Sequence, residues 1–237
     1  MTEQLVTVET HGDVAIVTLN RPEKRNAVNR ELSLQLRQAF VDQEERKVVV
    51  LTGADPAFCA GVDLNERRDP KWSDTLGAGD AQHWLDTIEA IRRTPSVVIA
   101  AVNGPALGGG LTLVNAAELA IASERARFGA PELSFGSFPA LSGSSSLLTV
   151  APKHAAELIL TAEPVDAVTA ERWGIVNRVV PHEELLTSAR EFADKIAAWS
   201  APTLGFAKRA IHELAQPGWS AALNEGVLIS ALTRRLT

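Results

Sequence analysis

At 237 residues the chain is long enough to bury a substantial core, as one large domain or two small ones. A hydrophobic content of 46% and a charged content of 22% belong to an ordinary globular protein, and a net charge of −6 excludes a broad nucleic-acid footprint while leaving room for a local basic patch. The one cysteine, Cys59, cannot form an intramolecular disulfide, so a reducing cytoplasm is the expected compartment. The polar start Met1-Thr2-Glu3-Gln4 has no signal-peptide pattern, and no apolar run reaches the roughly 18 residues that span a membrane.

Taken in order, residues 5–10 alternate like a half-buried strand, His11-Gly12-Asp13 turns, and 14–20 returns, which predicts a hairpin. A polar loop, Arg21 to Ala27, follows. Leu32, Leu36, Ala39 and Phe40 predict a helix near 30–43, and Lys47 to Thr52 predicts a buried strand. The segment 53–64 reads as a loop, and the charged, glycine-dotted 65–79 as a flexible one. Trp84, Leu85, Ile88 and Ile91 predict a helix near 80–93 that Pro95 stops. Then come a strand at 97–102, a glycine-led helix to about 117 and a short strand at 119–122. Strands alternating with helices imply an α/β fold with crossover connections. From Ser144 onward, helices are expected near 144–150, 153–161, 167–172, 183–199, 203–215 and 219–235, separated by prolines. The expected division is an α/β core over 1–200 and a helical region over 201–237 that belongs to the same functional unit.

The stretch Val97 to Thr112 carries the chemistry. A strand, a sharp Gly104-Pro105 turn and Gly108-Gly109-Gly110 at a helix start would let a substrate lie against bare backbone amides that have no intrahelical partner. The Gly109 N–H is therefore a candidate donor of an oxyanion hole. No Gly-x-Gly-x-x-Gly spans 104–115 and no Gly-Lys-Ser/Thr follows, so neither a dinucleotide fold nor a P-loop fits. The histidines show no metal-ligand spacing, and no metal is expected.

Four motifs in order resemble the crotonase (enoyl-CoA hydratase/isomerase) superfamily: Asn20-Arg21-Pro22 with Asn26-Ala27, Phe58 to Leu64, Asn103 to Gly110, and Phe128-Gly129-Ala130-Pro131-Glu132. Ala170 to Asn177 also fits the family's closing signature, so the resemblance covers essentially the whole chain. It implies a crotonase-like spiral of β-β-α units with a helical C-terminal trimerisation region, and assembly as a homotrimer or a dimer of trimers. It implies an acyl-CoA thioester substrate, with coenzyme A part of that substrate and no separate cofactor. Carried over by motif, the oxyanion amides are those of Val62 and Gly109, and Glu132 is the catalytic acid–base. The implied substrate-binding set is Lys24, Arg25, Ala27, Ala60, Asp63, Leu64, Gly108, Thr112, Pro139 and Ala140.

The sequence departs from that pattern at the acids. Hydratases of the family use two glutamates, and Thr112 stands at the first position while Glu132 keeps the second. A threonine hydroxyl can orient a water but is a very poor base at neutral pH. One carboxylate suffices to take a proton from one carbon of the acyl chain and return it to another, as the family's isomerases do. Thr112 can equally bond the carbonyl four residues back. Ala140 stands where some members carry a further acid, and Glu118 matches a family position expected to be structural. Phe138 to Ser146 replaces the commoner Pro-Gly-x-Gly-Gly-Thr form. The function this favours is double-bond isomerisation. A hydratase with an atypical second residue, a non-catalytic acyl-CoA binder and, last, a serine peptidase are the alternatives.

Overall fold

The hairpin opens the main sheet: β1 (Val6–His11) and β2 (Val14–Leu19) pair antiparallel about Gly12, as expected. In the computed structural model, which describes residues 3–67, 79–215 and 218–233, all later strands of this sheet join in parallel. The polar loop carries a single 3-10 turn, Pro22–Lys24. Next come α1 (Arg30–Asp42), β3 (Val48–Gly53), α2 (Leu64–Arg67), α3 (Gly79–Arg93), β4 (Val97–Val102), β5 (Ala106–Leu107), α4 (Gly109–Ala116), β6 (Leu119–Ser123) and β7 (Arg127–Gly129). Beyond a 3-10 turn at Pro131–Phe135 lie α5 (Ser142–Thr149), α6 (Pro152–Thr161), β8 (Val165–Asp166), α7 (Ala167–Trp173) and β9 (Arg178–Val180). The chain closes with α8 (Leu185–Ala197), α9 (Ala201–Ala215) and α10 (Trp219–Thr233).

The main sheet runs β1-β2-β3-β4-β6-β9. Every residue of β3 and β4 is buried, because helices cover both faces. On one face Val49, Leu51, Val98 and Ala100 meet the predicted stripes of α1 and α3; on the other, Val48, Val50 and Ile99 meet Leu185, Ala189 and Ala193 of α8. Asn29 caps α1 through a 2.8 Å bond from Leu32 N to its side-chain oxygen. Lys208 of α9 reaches back to donate to the carbonyls of Ile91 and Ser96, so α9 is tied to the base of the sheet. Among the described residues no helix is long and apolar enough to cross a membrane.

Several expectations need correction. The segment 65–79 does not begin as a loop, since α2 occupies Leu64–Arg67, and its part at 68–78 lies outside the described residues. Residues 183–199 divide into a 3-10 turn at His182–Glu184 and α8, and α5 starts two residues before 144. A second sheet, β5-β7-β8, and the edge strand β9 were not expected at all. They are two or three residues long, too short for alternation to register, and exist because a neighbour supplies the pairing. That small sheet positions the site.

Candidate active site

Three segments lie side by side through the pairings Cys59 to Ala106 and Ala106 to Phe128. Each then turns out of its strand: Gly61-Val62 after the first, Gly108-Gly109 after the second, Pro131-Glu132 after the third.

The first segment is braced by the loop at 21–28. Asn26 is fully buried; its side-chain oxygen accepts from Arg21 N at 2.9 Å and its amide donates to the Ala54 and Ala57 carbonyls, both at 2.7 Å. Ala60 N donates to Arg25 O, Val28 N to Gly61 O and Asp63 N to Val28 O. These bonds bracket Val62 and leave its own N–H without an acceptor among the described residues. Gly61 holds φ at +97°, and a Cβ there would lie 2.9 Å from the Leu107 carbonyl oxygen, so the approach to the second segment needs glycine twice over.

The second segment repeats the device. Gly108 holds φ at +51° and donates to Gly129 O at 2.9 Å, fixing it against the third segment. A Cβ on Gly108 would stand 2.9 Å from Oε1 of Glu132. Gly109 opens α4, and its N–H likewise has no acceptor among the described residues. The helix end adds partial positive charge at that amide. In both segments a positive-φ glycine immediately precedes the donor amide.

The third segment delivers the carboxylate. Glu132 sits in the Pro131–Phe135 turn, and Ser142 Oγ donates to its Oε1 at 2.7 Å. Two bare amides and a carboxylate thus meet around Gly108. Such a set can polarise a carbonyl, hold the negative charge that develops on its oxygen, and move a proton at the adjacent carbon.

A family profile described as enoyl-CoA hydratase/isomerase matches residues 9–225. The chain belongs to that family. It is 38% identical over 232 residues to a probable enoyl-CoA hydratase of Mycobacterium tuberculosis, covering 96% of this chain and 87% of the relative. It is also 38% identical over 225 residues to a probable mitochondrial enoyl-CoA hydratase of Dictyostelium discoideum, covering 93% and 78%. An enoyl-CoA hydratase/isomerase structure from Xanthobacter autotrophicus superposes with a TM-score of 0.90 at 33% identity, covering 98% of this chain and 88% of that one. The fold is the crotonase spiral, as expected.

Within this enoyl-CoA hydratase/isomerase family member, the structure gathers Val62, Gly108, Gly109 and Glu132. Ala27, Ala60 and Leu64 lie on the brace and its exit; Leu64 is exposed at the start of α2. Lys24 and Arg25 are exposed on the same turn and enter no ion pair among the described residues. Pro139 is buried beneath Gly143, and the Ala140 carbonyl packs on Gly226 of α10. Thr112 is fully buried, and its hydroxyl donates back to Gly108 O at 3.4 Å. Cys59 is buried, and burial pushes its thiol up to about 12, partly offset by the Gly61 amide, so it stays an inert packing group. Trp84 packs in the core as expected, with its indole N–H buried and unmet beside Gly109.

Asp63 is expected among the substrate-binding residues, and its carboxylate is held by Arg21 at 2.7 Å and caps Asn65 N at 3.0 Å. Burial alone would raise this carboxyl; the hydrogen bond and charge of Arg21, with the Asn65 and Glu66 amides, outweigh it and hold it below the usual carboxylate range. A lowered folded-state value means the pair stabilises the protein above the usual carboxylate range, and that this contribution is lost as pH falls through the lowered value. Asp63→Asn is expected to cost about 1–3 kcal/mol at neutral pH. It should also flatten the acid side of the stability profile, both read from urea midpoints across the acid range. Ser142, whose hydroxyl meets Glu132, is a neighbour of the site that sequence reasoning did not place there. Its only signal was that the 138–146 segment departs from the family form.

Proposed function

We propose that this chain shifts a double bond along an acyl-CoA thioester. Glu132 takes a proton from C2 of a 3-enoyl-CoA, and the electron pair passes into a dienolate whose thioester oxygen is held by the Val62 and Gly109 amides. The protonated Glu132 then returns the proton to C4, the C2–C3 double bond forms, and the thioester carbonyl is restored. Each oxyanion donor contributes roughly 10²–10³ in rate. The observation that carries the reading is Thr112. It stands at the position of the first hydratase acid, and its hydroxyl is buried against Gly108 O.

Hydration is the second reading, favoured by the names its relatives carry. Coenzyme A is taken as part of the substrate, with the exposed Lys24 and Arg25 available to its phosphates. Assembly as a trimer or a pair of trimers is supported by large apolar side chains left exposed, among them Leu160, Trp199 and Phe206. Purified protein offered 3-enoyl-CoA and 2-enoyl-CoA separates the readings through the conjugated-thioester absorbance. A gain with the first substrate and no loss with the second supports isomerisation. Rapid loss with the second overturns it in favour of hydration.

A further inference from the structure

The segment Pro139-Ala140-Leu141-Ser142-Gly143-Ser144 stands where the family's commoner form is Pro-Gly-x-Gly-Gly-Thr, so Ser142 places a side chain where that form has none. The side chain is not idle. Ser142 is 1% exposed, and its Oγ lies 2.7 Å from Oε1 of Glu132. A carboxylate can only accept, so the serine hydroxyl is the donor.

Ser142 is itself held in place. It is the first residue of α5, and its carbonyl accepts from Ser146 Oγ at 2.7 Å and Ser145 Oγ at 3.1 Å. Those two hydroxyls in turn accept from Asn115 Nδ2, Ser145 at 2.9 Å and Ser146 at 3.1 Å. Asn115 belongs to α4, the helix whose first amide is Gly109. A continuous buried polar chain therefore runs from the helix of the oxyanion donor to the carboxylate.

We propose that Ser142 is a positioning residue for Glu132: its hydroxyl grips Oε1, fixes the plane of the carboxylate beside Gly108, and assigns the proton transfer to Oε2. The proposal rests on Glu132 being the acid–base of the reaction. A bond donated to the charged form stabilises it more than the protonated form, so Ser142 keeps Glu132 ready as a base to lower pH. It also reduces the rotamers the side chain can visit when it must reach two carbons in turn.

The test uses the full chain and two variants, Ser142→Ala and Ser142→Gly, the second restoring the family form. First, the Glu132 carboxyl is titrated by 13C-detected NMR and assigned by its absence in Glu132→Gln. Both variants are expected to titrate about one pH unit above the parent, the size of one charge-assisted hydrogen bond. This readout needs no turnover, so it stands whatever reaction the enzyme carries out. Second, C2-proton exchange of an acyl-CoA in D2O is expected to fall about tenfold in kcat with KM unchanged, and Ser142→Thr, which keeps the hydroxyl, to recover most of it. An unchanged titration midpoint in both variants overturns the proposal and reduces Ser142 to a space-filling residue. Absent exchange in the parent, with the midpoint shift intact, overturns the proton-shuttle reading of Glu132 and leaves the hydrogen bond's effect on it established.

Discussion

Glu132→Gln is expected to lower C2-proton exchange of a bound acyl-CoA by about 10²–10⁴-fold, the usual contribution of a positioned general base. Glutamine keeps the shape of the side chain and can still accept the Ser142 hydrogen bond through its carbonyl oxygen, so the turn at Pro131–Phe135 has no reason to move. It cannot take a proton at neutral pH. The Val62 and Gly109 donors are backbone groups and are untouched, so affinity for a saturated acyl-CoA is expected to stay within a fewfold of the parent. Exchange followed by NMR in D2O, with affinity by calorimetry, separates the two terms. Persistent exchange would remove Glu132 from the mechanism. Loss of both would place the variant's defect in the fold of the site rather than in its chemistry.

What the sequence makes legible follows physical range. The apolar runs that become β3 and β4, and the stripes Leu32-Leu36-Phe40 and Leu85-Ile88-Ile91, are local patterns, and the structure keeps them with end shifts of a residue or two. The hairpin at Gly12 is equally local. The strands β5, β7 and β8 are not, because two or three residues carry no period; their register comes from the partner strand. The ion pair of Arg21 with Asp63 joins residues 42 apart, and no pattern at either end reveals it. Motif position alone placed Asp63 beside the substrate, and only the geometry shows what its carboxylate touches. Ser142 fails for a related reason: a serine near a helix start is a common cap, and which neighbour its hydroxyl meets depends on the third segment folding over it.

The largest stability effect is expected at Glu118, whose role the sequence reading gave as structural. Its side chain is 3% exposed and accepts from Val98 N at 2.7 Å, from Lys208 Nζ at 3.2 Å and from His212 Nε2. Val98 lies in β4, the strand that runs into the Gly108 turn, so one carboxylate joins α9 to the strand feeding the site. Burial pulls the Lys208 ammonium below the ordinary lysine range, Arg92 adds to that pull, and the charge of Glu118 opposes it. Removing that charge leaves the buried ammonium donating to the neutral Ile91 and Ser96 carbonyls with no anion among the described residues to balance it. Glu118→Gln keeps an acceptor for Val98 N and is expected to cost about 3–5 kcal/mol. That is a large part of the roughly 5–15 kcal/mol that holds a domain folded. The double variant Glu118→Gln, Lys208→Met removes both charges and is expected to recover most of the loss, since a buried pair replaced by neutral groups is often close to neutral in stability. Urea midpoints of parent, single and double variants measure this directly. If the double variant is no more stable than the single one, the energy resides in the hydrogen bonds of Glu118 to β4 and α9 and not in the charge pair.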